Sequence, residues 1–156
     1  MPLSPSARSP SRAAAVALLA AVGCGGSGGT PEAPPLTFGG PPALTVASGS
    51  GQLILALWWS PVQPTVGYDA SQIAITDASG APVSGATLTV VPWMSAHGHG
   101  ASVLPTVSET APGVYVAVPL DLYMSGSWQL RTRIQRDSGD GAAAIDDTAA
   151  PSVDVP

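Results

Sequence analysis

Apolar and polar residues alternate with a period of two over most of the chain beyond Gln52. The clearest stretch is "SWQLRTRIQR" (Ser127–Arg136), with Trp128, Leu130, Thr132 and Ile134 on one face and Gln129, Arg131, Arg133 and Gln135 on the other. That period belongs to a strand with one buried side. "SQIAITD" (Ser71–Asp77) sets Ile73 and Ile75 together, and "ATLTVVP" (Ala86–Pro92) sets Leu88 and Val90 against Thr87 and Thr89. In "VYVAVPL" the residues Val114, Val116 and Val118 share a face, and "QLILALWWS" (Gln52–Ser60) is a short apolar run of buried-strand length. Pro105 interrupts "SVLPTVSE" (Ser102–Glu109), which places that strand at a sheet edge. Val153 and Val155 offer a last strand, and "SGDGAAAIDDTAAPS" before them reads as loosely ordered. Gly and Pro punctuate the intervals, as in "ASGAPVSG" (Ala78–Gly85), and no segment beyond Gln52 has a 3.6-residue period. The pattern predicts an all-β protein, an antiparallel β-sandwich of about seven strands.

The first third is different. Residues 1–23 carry Arg8 and Arg12, then "AAAVALLAAVG", then Cys24. A basic start, a short apolar run and small residues before a cut site describe a secretory signal. The run is too short for a spanning helix, which needs about 20 apolar residues. Cys24 is the only cysteine, so it has no internal disulfide partner, and its place behind "AAVG" resembles a bacterial lipobox with Ala21 where leucine is usual. A lipid on Cys24 would hold the chain to a membrane. Gly25 follows, not aspartate, which points to the periplasmic side of the outer membrane in a Gram-negative cell. Residues 24–51 are rich in Gly, Pro and Ser and read as a tether, although "ALTVAS" (Ala43–Ser48) can pair as a first strand. Residues 52–156 form the folded domain.

Cleavage after the signal removes Arg8 and Arg12. Three arginines then face ten acids, a formal charge of 3 − 10 = −7, and the chain has no lysine. Such a surface repels phosphate backbones, so nucleic acid is not a partner. No nucleophile elbow or paired carboxylate is evident, and adjacent Asp146 and Asp147 would face opposite ways on a strand, so no catalytic residues are assigned.

The chemistry concentrates in "VPWMSAHGHGAS" (Val91–Ser102), which holds both histidines of the chain. On an extended backbone His97 and His99 point the same way, and Gly98 and Gly100 let the chain bend closely around them. Met94 adds a thioether, and Met124 in "LDLYMSGSW" adds a second if that turn lies at the same end of the sandwich. Imidazole suits copper, zinc and nickel, and thioether selects Cu(I). Trp93 would shield such an ion or cap the core. The alternative is a glycine turn with solvated imidazoles on a structural or partner-binding module.

The ordered series Pro92, Met94, His97-Gly98-His99-Gly100, then Pro112-Gly113 and Tyr115, then Met124, Gly126 and Trp128 resembles the YtkA-like domain family, with a more distant similarity to FixH-type periplasmic domains. The resemblance implies an Ig-like β-sandwich outside the cytoplasm and a connection with copper handling alongside other envelope copper proteins. It implies Met94, His97, His99 and Met124 as metal ligands. The family often has Met-Pro-Met before the histidine, whereas this chain has Trp93-Met94-Ser95-Ala96, one sulfur fewer.

Overall fold

The computed structural model describes residues 35–139 and 141–156. The signal-like segment 1–23, Cys24 and the tether as far as residue 34 lie outside the described residues. The described residues form one compact unit. It contains ten strands: β1 (Leu44–Ala47), β2 (Leu53–Ser60), β3 (Gly67–Asp77), β4 (Thr87–Met94), β5 (His99–Gly100), β6 (Thr106–Ala111), β7 (Val114–Leu122), β8 (Gly126–Arg136), β9 (Ile145–Ala149) and β10 (Ser152–Val155).

Two antiparallel sheets result. The first runs β1-β2-β3-β7-β6; the second runs β10-β8-β4-β5, with β9 also on β8. β8 serves two neighbours along one edge, pairing Gly126–Gln129 with β10 and Thr132–Arg136 with β9. This is an all-β sandwich of the Ig-like kind. The core lies between the sheets. The alternation of β8 is realised as read, with Trp128, Leu130 and Ile134 at 0% exposure and Arg131 and Arg133 in solvent. Leu88 and Val90 of the adjacent β4 extend this inner face, and Leu55, Leu57, Ile73 and Ile75 meet it from the facing sheet. On β7 the shared face of Val114, Val116 and Val118 is the outer one, and Tyr115 and Ala117 point inward.

The "ALTVAS" piece does pair as a first strand, β1, which draws the end of the tether into the first sheet with Leu44 opposite Leu57 and Ala47 opposite Ile54. Two elements differ from the sequence pattern. β9 forms inside the stretch read as loosely ordered. Its sequence "IDDTA" has little apolar alternation, and its order comes from the ladder with β8 and from Arg133, whose guanidinium binds Asp146 through two contacts of 3.0 and 2.9 Å. β3 starts four residues early, and a bulge between Asp69 and Ser71 buries three consecutive side chains, which breaks the two-residue period.

The turn at Gly113 ties the far end together. Gly113 has φ +70°, and a Cβ there would come within 2.8 Å of the Pro82 side chain and 2.9 Å of the Val83 nitrogen. Next to it, the Tyr115 hydroxyl donates to the Val83 carbonyl at 2.7 Å and accepts from the Ala86 N–H at 3.0 Å. The Pro-Gly-x-Tyr element is therefore a device that fastens the β6–β7 turn onto the β3–β4 connection.

Candidate functional site

The chain leaves β4 after Met94 and turns back into β5 at His99, with Met94 and His99 paired across the hairpin. The Met94 carbonyl accepts from the N–H of both His97 (3.1 Å) and Gly98 (2.9 Å). Gly98 closes this turn at φ +71°, a conformation that glycine adopts without strain. Gly100 has a different task. A Cβ there would stand 3.1 Å from the Pro92 oxygen and 3.3 Å from the Trp93 ring, so glycine lets the indole lie across β5. Arg131 then covers that indole, its guanidinium carbon 4.4 Å from the ring centre.

His97 is exposed and His99 half-buried, with ring centres 5.7 Å apart and planes tilted by 31°. The β7–β8 turn comes to the same end of the sandwich. From it the Tyr123 hydroxyl makes a 2.9 Å hydrogen bond with His99 Nδ1, and the two rings lie nearly parallel at 5.8 Å. Tyr123 meets Trp128 edge to face at 5.5 Å, and Trp128 Nε1 donates to the Met124 carbonyl at 2.9 Å. His99 is thus connected through Tyr123 to the buried tryptophan of β8.

The methionines are placed differently from the histidines. Met94 is 1% exposed and belongs to the core. Its Cε lies 2.7 Å from where a Cβ on Gly126 would stand, so Gly126, at φ +121°, leaves space for the thioether's methyl group. Met124 is half-buried against the core from the turn above. The structure therefore gathers Met94, His97, His99 and Met124 at one end, with the imidazoles toward solvent and Met94 beneath them. Among the described residues, no three His, Cys, Asp or Glu side chains converge as a metal-holding group. Tyr123 was missed in the sequence although it adjoins Met124, because its pairing with His99 joins positions 24 residues apart, one in the β7–β8 turn and the other in β5.

On the outer face of the second sheet, a cleft of about 530 Å³ is lined by Ser48, Thr89, Val91, Arg131, Arg133 and Thr148, among others. Arg133 is engaged with Asp146, and that contact holds the Asp146 carboxyl below the usual carboxylate range. Near the histidine end, Asp69 accepts hydrogen bonds from the Thr65 N–H (3.0 Å) and hydroxyl (3.2 Å), which fixes the β2–β3 connection. Burial raises its pKa against those two bonds.

A two-sheet antiparallel sandwich with a histidine hairpin at one end is the class of protein these features define. The YtkA-like family model matches residues 58–133, so this part of the chain is similar to YtkA-like domains. The matched span runs from the end of β2 into β8 and takes in both histidines, the Pro-Gly-x-Tyr turn and Tyr123. No curated protein and no solved structure matches the chain.

Proposed function

We propose that this domain is a non-catalytic copper-binding unit, a carrier, buffer or sensor, held at the cell envelope by a lipid on Cys24. The observation that carries the reading is the pair of imidazoles 5.7 Å apart on one solvent-facing hairpin. Two imidazoles sharing an ion about 2 Å from each nitrogen have ring centres about 5–6 Å apart, and the separation in this hairpin lies in that range. Tyr123 supports the same reading. With its proton on Nδ1 and donated to the Tyr123 oxygen, His99 presents the lone pair of Nε2, the arrangement that orients metal-bound histidines. Imidazole nitrogen with a half-buried thioether from Met124 is a donor set suited to copper. Met94 would have to leave the core to contribute its sulfur, so its first role is to support the hairpin.

A Cu(II) electron paramagnetic resonance spectrum of untagged protein tests this reading. It is expected to show coupling to imidazole nitrogen that disappears when His97 and His99 are both replaced by alanine. A spectrum without nitrogen coupling favours the other reading, a structural or partner-binding module with no metal role.

A further inference from the structure

The cleft on the outer face of the second sheet reverses the charge of the molecule around it. Its floor is two rows across the strands: Val91 beside Arg131, and Thr89 beside Arg133 with Thr148 of β9 continuing that row. Ala47 and Ser48, where β1 ends, form a wall. Among the described residues two arginines line this space of about 530 Å³ and no acid does, in a chain with ten acids and no lysine.

The arginines differ in what already occupies them. Arg133 is committed to Asp146. Arg136, outside the cleft, gives its donors to the carbonyls of Ala143 and Ser84. Arg131 has two contacts of 3.4 Å, both to Gln129 Oε1, which already accepts from the Ser95 hydroxyl at 2.9 Å. Among the described residues Arg131 has no carboxylate within ion-pair distance. The acids nearby are placed elsewhere. Asp147 accepts from the Ser50 N–H and hydroxyl, and Asp154 stands opposite Ser127, four residues along β8 from Arg131.

The Arg131 guanidinium is nevertheless held in one position. It lies over the Trp93 indole, which itself fills the space that Gly100 leaves. A stacked guanidinium keeps its N–H groups in plane at its edge, where a carboxylate can accept two parallel hydrogen bonds.

We propose that this cleft binds an organic monocarboxylate with an aliphatic body. Its two oxygens meet Arg131, and its hydrocarbon lies against Val91, Ala47, Ala150 and the methyl groups of Thr89 and Thr148. Charge selects the head group. One free arginine matches one negative charge, and Asp146 beside Arg133 opposes a second, so a phosphate dianion fits less well. The volume is that of a small-molecule site, and the alanine and valine lining selects an apolar body. Neither histidine lines the cleft, so this site is separate from the copper site proposed above.

Octanoate is the probe. The untagged full chain is used with Cys24→Ser, so that no attached lipid competes for the cleft. Calorimetric titration reads affinity, and ¹⁵N spectra read the Arg131 Nε–H and Trp93 indole signals. The expected result is saturable binding of one octanoate per chain, with both signals shifting. Octanamide, which has the same body without the charge, should bind about 10-fold or more weakly. Arg131→Gln should bring octanoate down to the level of octanamide without lowering the melting temperature by more than a few degrees. Val91→Asp, which sets a carboxylate on the floor, should abolish binding. The His97→Ala/His99→Ala variant should bind octanoate as the wild type does. Binding unchanged in Arg131→Gln, octanamide as tight as octanoate, or loss of binding in the double alanine variant overturns the site. Inorganic phosphate displacing octanoate at equal concentration overturns the choice of a monocarboxylate. No binding at millimolar octanoate overturns the proposal outright.

Discussion

Gly113→Ala should be among the most damaging single-methyl changes in this domain, and its cost can be divided in two. The first part is conformational. At φ +70° an alanine pays about 1 kcal/mol for the left-handed region. The second part is steric. The new Cβ would stand 2.8 Å from the Pro82 Cβ, 2.9 Å from the Val83 nitrogen and 3.0 Å from the Ile75 oxygen. Two of those atoms are backbone and cannot rotate away. The same residues are tied to the turn, since Ile75 N–H donates to the Gly113 carbonyl at 2.8 Å and Gly113 N–H donates to Glu109 at 2.9 Å. Forced overpacking of this kind costs about 1–3 kcal/mol. The sum is about 2–4 kcal/mol. Gly80 supplies the control, because it has φ +85° and nothing within 4 Å of an added Cβ. Gly80→Ala should lose only the conformational part, about 1 kcal/mol. Urea unfolding followed by tryptophan fluorescence reads both variants under one set of conditions. A Gly113→Ala cost within about 0.5 kcal/mol of Gly80→Ala would refute the close approach of the two turns.

Tyr115→Phe leaves the Val83 carbonyl and the Ala86 N–H without their shared partner, and should cost about 1–3 kcal/mol by the same assay. Glu109 accepts from the Gly113 and Gly85 N–H groups, each at 2.9 Å, and these bonds lower its pKa. A lowered carboxyl pKa contributes stability that is present above the unfolded value of about 4.3 and is lost as pH falls through the folded one. Glu109→Gln should therefore lose stability at neutral pH, with the gap to wild type closing below about pH 4 in a pH series of melting curves. Tyr123→Phe removes the hydrogen bond to His99 Nδ1 and should weaken copper binding about 10-fold or more without unfolding the domain, as read by competition with a chelator. Cys24→Ser should move the protein from the membrane to the soluble fraction, and unchanged fractionation would exclude the lipid anchor.

How much of this was legible in the sequence depended on where regular alternation held. β8 was read residue by residue because one of its faces is core and the other solvent along its whole length. β9 was missed because its strand character comes from its neighbour and its side chains are mostly exposed. The buried place of Met94 follows from the alternation of β4, in which Leu88, Val90, Pro92 and Met94 all point inward. Ending that strand at Pro92 gave Met94 to the loop, where its sulfur looked free. The two glycines around His99 were legible as freedom for the backbone, but their separate tasks needed the fold. Gly98 takes a positive φ, and Gly100 makes room for Trp93. The meeting of the histidine hairpin with the Met124 turn followed from sandwich topology, whereas the bond between Tyr123 and His99 depends on how the β7–β8 turn leans against the histidine hairpin.

Equilibrium dialysis of untagged protein against micromolar copper, run beside the His97→Ala/His99→Ala variant, tests the central claim most directly. The account predicts copper retained by the wild type, none retained by the variant, and the same melting temperature for both apoproteins, because His97 is exposed and neither histidine belongs to the core. Copper retained equally by both proteins, or by neither, would contradict it.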